Sequence, residues 1–173
     1  MSYNLLDNVT LSGASSYTYS NFNITSSSTA GPYWAWEFRF HDITNGNVSN
    51  YYPQLQATAS LNIPYTVTYN AFTSANPYNS GGTGSSWIAL SGYSDWNVPS
   101  NGKLLIEQPK RNGTSWYCNF QSDWTYYDSA YGYGYSHLNS FGVFTDYTSI
   151  DEITIKPNTG TWYGGISVYG IAS

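Results

Sequence analysis

Tyr33-Trp-Ala-Trp-Glu-Phe-Arg-Phe-His41 places Trp34, Trp36, Phe38 and Phe40 at every second position, with Ala35, Glu37, Arg39 and His41 between them. Successive side chains of a strand point to opposite faces, so the alternation predicts a strand over 33–43. It would lay four large rings against a core and turn a polar face to water, as an antiparallel sheet allows. A helix would scatter the same rings around its cylinder.

Outward from that strand the same period recurs. Strands are expected near 3–11, 16–24, 53–61, 64–72, 85–91, 103–108, 114–122, 134–146, 149–156 and 163–171. Turn chemistry separates them: Asn45-Gly46, Asn76-Pro77, Gly81-Gly-Thr-Gly84, Pro99-Ser-Asn-Gly102, Asn112-Gly113 and Asn158-Thr-Gly160. Lys110-Arg-Asn-Gly113 reads as a tight connection between the strands on either side of it. Ser149–Lys156 and Trp162–Ile171, joined by Pro157-Asn-Thr-Gly160, read as a β-hairpin that closes the protein. Gly164-Gly165 and Gly170 suit a bent strand lying close to its neighbours. Residues 76–86, rich in Gly and Ser, are expected as a surface loop or docking arm, Met1–Asn8 as a second arm, and 121–131 as room for a short helical turn.

No linker or repeat divides the chain, so one domain over 1–173 is expected. The fold class is all-β, an antiparallel two-sheet β-sandwich of jelly-roll type with little or no helix. Two packed sheets accommodate this many strands, and wrapping covers uncharged edges.

Composition narrows the function. Aromatics make up 19 % of the 173 residues and charged residues 9 %, the reverse of a disordered chain. Net charge is −5, with Arg39, Lys103, Lys110, Arg111 and Lys156 as the whole cationic complement. A nucleic-acid partner needs a basic stripe for its phosphates, and an anionic membrane surface needs the same; neither is expected. Met1-Ser-Tyr-Asn4 lacks the basic and apolar segments of a signal peptide, so a cytoplasmic product, or one exported by another route such as cell lysis, is expected.

Catalytic and metal patterns are thin. Cys118 stands alone among bulky residues and reads as a small buried hydrophobe, since only His41 or His137 could activate it. Two His and one Cys without CxxC or HxxxH spacing disfavour zinc, and no Asp-x-Asp-x-Asp-Gly loop offers calcium a site, although Asp42, Asp151 and Glu152 are oxygen donors. Glycoside hydrolysis needs two carboxylates flanking one bond. Glu37 and Glu107 occupy polar strand positions but lack the contexts of Tyr/Trp-rich jelly-roll xylanases. No Gly-x-Ser-x-Gly frames a serine nucleophile. No catalytic residue, cofactor or metal is assigned.

The densest aromatic tract is Ser122-Asp-Trp-Thr-Tyr-Tyr-Asp-Ser-Ala-Tyr-Gly-Tyr-Gly-Tyr135. Its Trp124, Tyr126, Tyr127, Tyr131, Tyr133 and Tyr135 form the candidate interaction surface. Tyrosine supplies rigid amphipathic contact area, and a flat ring stacks on a sugar or a protein partner. The plain alternative is a Tyr-rich crossing that only closes the sandwich.

The two ends of the chain carry a resemblance. Ser12-Gly-Ala-Ser-Ser-Tyr-Thr-Tyr-Ser20, the strand opening Tyr33-Trp-Ala-Trp36, an Asp42-Ile43 turn, a strand over 54–60 and the close Gly164-Gly-Ile-Ser-Val-Tyr-Gly-Ile171 follow in this order. The arrangement resembles the small β-sandwich (jelly-roll) virion structural proteins of tailed bacteriophages. The resemblance covers about half of the chain and leaves out the middle. It implies a non-enzymatic virion protein, either a capsid decoration (cement) protein or a small tail component that stabilises the particle. Its partners would be the major capsid or tail protein and further copies of itself, a trimer being one option. The alternative is a carbohydrate-binding tail adhesin for a host glycan, and a distant one a jelly-roll glycoside hydrolase.

Overall fold

Thirteen strands form two antiparallel sheets in a computed structural model described over residues 1–20, 33–46, 52–58, 65–72, 77–84, 87–90, 97–108, 110–112, 115–128, 134–146 and 152–172. No helix occurs among the described residues. The strands are β1 (Ser2–Ala14), β2 (Tyr17–Tyr19), β3 (Ala35–Asn45), β4 (Pro53–Thr58), β5 (Tyr65–Phe72), β6 (Pro77–Gly84), β7 (Ile88–Ala89), β8 (Ser100–Glu107), β9 (Lys110–Asn112), β10 (Ser115–Asp128), β11 (Gly134–Asp146), β12 (Glu152–Pro157) and β13 (Trp162–Ala172). The larger sheet runs β1-β13-β3-β8-β10-β11-β5-β6, with β9 also on β10; the smaller runs β2-β12-β4-β7. The division is nine strands against four, where a jelly roll shares eight strands between two Greek keys.

The core lies between the sheets. Trp36, Phe38 and Phe40 of β3 are buried, as are Leu104 and Ile106 of β8 and Phe120 and Trp124 of β10. The small sheet answers with Tyr17, Tyr19, Ile88, Ile153 and Ile155, all in the same apolar cluster. The Tyr19 and Phe38 rings meet edge to face at 5.7 Å across the interface. Each fully buried large side chain contributes roughly 1.5–3 kcal/mol.

Trp34 departs from the expected wall of four rings. It precedes the first residue of β3 and is 36 % exposed. Its backbone is still held, with N–H donating to the Ile171 carbonyl and C=O accepting from Gln108. Trp34 stands one residue before β3, and less of its ring is covered than that of Trp36.

The expected terminal hairpin is not formed. β12 pairs with β2 and β4 in the small sheet, whereas β13 pairs with β1 and β3 in the large one. Pro157-Asn-Thr-Gly160 is a corner between sheets. Asn158 exchanges hydrogen bonds with Tyr52 through its N–H (3.0 Å) and Oδ1 (2.7 Å), and Asn45 Nδ2 donates to the Thr159 carbonyl at 2.7 Å. Gly160, at φ +74°, turns the backbone against the Asn45 side chain, where a Cβ would collide. Strands that switch sheets make corners of this kind.

Three further expectations change. β10 runs straight through 121–128 without a helical turn, because Ser122, Trp124 and Tyr126 keep facing inward at period two. The expected loop at 76–86 contains β6, an edge strand in continuous register with β5 from Phe72↔Pro77 to Tyr65↔Gly84. Proline and glycine are tolerated at such an edge. Met1–Asn8 belongs mostly to β1, pinned along β13 from Ser2↔Ala172 onward. β8 and β10 are antiparallel neighbours as expected, but Lys110–Asn112 is the strand β9, paired with Ser115–Tyr117 of β10, and Gly113 lies outside the described residues.

Candidate functional site

Because Trp36, Phe38, Phe40, Leu104, Ile106, Phe120 and Trp124 point inward, the residues between them form the outer face of the large sheet. Directly paired residues share a face, so register reads out the rows crossing it. One row is Tyr169–Glu37–Leu105–Gln121–Phe141; the next is Ser167–Arg39–Lys103–Asp123–Asn139. Much of the chain's scarce charge gathers here.

Arg39 Nε pairs with Glu37 Oε1 along β3, and that hydrogen bond holds the guanidinium above its usual range. The guanidinium also lies over the Tyr169 ring at 4.5 Å and the Tyr3 ring at 5.5 Å, a cation–π arrangement at the β1 side of the face. Tyr3 and Tyr169 meet edge to face at 6.3 Å. Across the sheet, His137 Nε2 stands 3.3 Å from Asp123 Oδ1, and Asn119 Nδ2 donates to Glu107 Oε2 at 3.1 Å.

A β-bulge breaks this grid. Between Phe40↔Gly102 and Ile43↔Ser100, β3 carries one residue more than β8, and it does so again against β13 between His41↔Gly165 and Thr44↔Tyr163. The extra residue sits at His41–Asp42. Asp42 adopts φ 52°, the one non-glycine with positive φ among the described residues. Gly164, at φ +124°, packs against the His41 and Asp42 carbonyls, where a Cβ would come within 2.8 Å. The Asp42 N–H donates to Asn101 Oδ1 at 3.0 Å. Bulges re-aim side chains, and beside this one lies an open cleft of about 340 Å³. Arg39, His41, Asn101, Lys103, Asp123 and Thr125 line it over a floor of Phe40 and Gly102. A second hollow of about 240 Å³ lies along the face between Leu105, Gln121 and Phe141.

The aromatic tract is split by the pleat. Trp124 is fully buried and packs on Phe40 at 4.8 Å, and Tyr126 is buried with Leu138. Both occupy inward positions of β10, so neither belongs to an exposed interaction surface. Tyr127 and Tyr135 are directly opposed on the outer face at 5.1 Å, and Tyr135 is 69 % exposed. Tyr131 and Tyr133 lie outside the described residues. Cys118 faces inward; its thiol donates to the Glu107 carbonyl at 3.1 Å, and burial pushes its pKa up. His41 lies on the opposite, outward side of the sheet, away from any role as its base.

Glu37 and Glu107 both occupy the outer face as diagonal neighbours on β3 and β8, one held by Arg39 and the other bonded to Asn119. Among the described residues no group of three His, Cys, Asp or Glu could hold a metal ion. Reading the sequence alone missed the cleft residues Arg39, Lys103, Asp123 and Thr125. Their one signal was the outward parity of each strand. No protein-family model matches the chain, and neither does any curated protein or solved structure.

Proposed function

We propose that this chain is a non-enzymatic structural component of a tailed-bacteriophage particle, a capsid decoration protein or small tail component that docks through the outer face of its large sheet. The carrying observation is the distribution of exposed large apolar side chains. Tyr3 and Leu5 on β1, Tyr117 on β10, and Tyr135 and Phe141 on β11 all project from that one face, with exposures of 37–69 %. An exposed sheet face with several aromatics is interface composition. The likeness of the chain's two ends to virion proteins supplies the particle. Repetition of one contact over a symmetric shell would make a modest affinity per site sufficient.

Particles assembled without the protein test this reading. They should form, lose integrity at lower temperature or ionic strength, and adsorb to host cells normally. Particles of unchanged stability would refute it.

A second reading, a glycan-binding tail adhesin, is favoured by one observation: the polar cleft beside the β3 bulge. Loss of host adsorption on deletion would select it.

A further inference from the structure

The geometry points to the cleft at the β3 bulge as a binding site for an acidic saccharide unit, a hydroxylated ring carrying one carboxylate. This rests on the glycan-binding reading above, the alternative to docking through the same sheet face, and names its ligand class.

Arg39 and Lys103 are two of the five cations in an acidic chain, and they stand directly opposite each other on adjacent strands. Like charges in that position are destabilising. Glu37 compensates Arg39. Lys103 is exposed and has neither an ion pair nor a hydrogen bond among the described residues, and the same holds for His41. Asn101 spends Oδ1 on the Asp42 N–H, and its Nδ2 donor has no hydrogen bond among the described residues. Three donors, one of them a full positive charge, therefore border one cleft.

The opposite wall offers acceptors. Asp123 is fixed by His137, and Thr125 adds a hydroxyl within 3.5 Å of the same imidazole. Asp123 stands directly opposite Lys103 in register, so it repels a phosphate dianion about twice as strongly as a single carboxylate. A monoanionic sugar instead turns its carboxylate to Lys103 and donates its hydroxyls to Asp123 and Thr125. Charge-assisted hydrogen bonds of this kind are the strong ones. The volume, about 340 Å³, is at the low end for ligand sites and suits one ring more than an extended chain. The bulge supplies the shape: Asp42 takes a left-handed backbone conformation that Asp tolerates better than most residues, and sparsely populated conformations of this kind cluster at ligand clamps.

The test uses the full chain and oligosaccharides bearing galacturonate, glucuronate or N-acetylneuraminate, each compared with its methyl ester by calorimetric titration. The free monosaccharides form a second arm, which separates recognition of one ring from recognition of a polymer. At least one acid should bind about tenfold or more tightly than its ester, the worth of one charge-assisted contact. Lys103→Gln should erase that preference. Lys156→Gln, with the same net charge but its cation over Trp87 beside the small sheet, should keep it. Melting curves of both variants report folding. Equal binding of acid and ester, or a preference that survives Lys103→Gln, would overturn the acidic-ligand assignment and leave glycan binding standing. Failure of the folded protein to bind any of these acids or esters would overturn both.

Discussion

Asp42 and Asn101 hold the distortion on which the cleft depends: the Asp42 amide, at φ 52°, donates to Asn101 Oδ1 across the β3–β8 boundary at 3.0 Å. A left-handed conformation costs an ordinary residue roughly 1–2 kcal/mol, less for Asp or Asn, and glycine nothing. Asp42→Gly should therefore be neutral or stabilising by up to about 1 kcal/mol, although glycine also gains freedom in the unfolded chain. Asp42→Val should destabilise by more than that. Asn101→Ala should cost about 1 kcal/mol for the lost hydrogen bond. Urea unfolding of the three variants measures all of this, and a stable Asp42→Val variant would remove the strain from the account.

The core assignment distinguishes tryptophans that the alternation treats alike. Trp36 and Trp124 are 2 % and 0 % exposed, while Trp34 is 36 % exposed. Trp36→Ala and Trp124→Ala should each cost about 3–5 kcal/mol. Trp34→Ala should cost less than half as much. Thermal melts reporting equal losses at Trp34 and Trp36 would contradict the packing described.

Burial raises the pKa of two tyrosines at the sheet interface. Tyr19 is pushed up to about 12, and Tyr17 is raised further by burial together with its hydrogen bond to Asp7 Oδ2 at 2.7 Å. Above the ordinary tyrosine value of about 10 the unfolded chain releases these protons while the folded chain keeps them. The unfolded state then binds fewer protons, so stability falls as pH rises from about 10 through the folded values. Denaturation between pH 8 and 11.5 should show that decline. Tyr17→Phe should be less stable near neutrality by about 1–2 kcal/mol for the charge-assisted bond, yet show a shallower alkaline loss.

How much of this was legible in the chain depended on whether the information was local. The β3 alternation is carried by adjacent residues, and Trp36, Phe38 and Phe40 take the inward face it predicts. Trp34 sits at the same period one residue before β3 and is left 36 % exposed. The β12–β13 connection has hairpin composition, but what decides it is Asn45 and Tyr52, remote in sequence, which bond Thr159 and Asn158 into a corner. The aromatic tract drew attention by composition, yet period two sends Trp124 and Tyr126 inward and leaves Tyr127 out. The cleft was the least visible feature. Arg39, Lys103 and Asp123 become neighbours only once β3, β8 and β10 are in register.

Glu37 and Glu107 provide the test against catalysis. On a non-enzymatic reading, Glu37→Gln and Glu107→Gln should leave particle stability and host adsorption within twofold of wild type. The Glu37 change should also release Arg39 and cost no more than about 1 kcal/mol, as expected of a pair near the surface. Reducing sugar released from a host polysaccharide by the wild-type chain, and abolished by either change, would establish a glycosidase instead.

A cryo-electron-microscopy map of the parent particle tests the central claim most directly, because it shows which face of the sandwich is covered. The account predicts that the outer face of the large sheet, with Tyr117, Tyr135 and Phe141, is pressed against another virion protein in every symmetry-related copy. A map with that face open to solvent and the chain attached elsewhere, or with the chain absent from the particle, would contradict it.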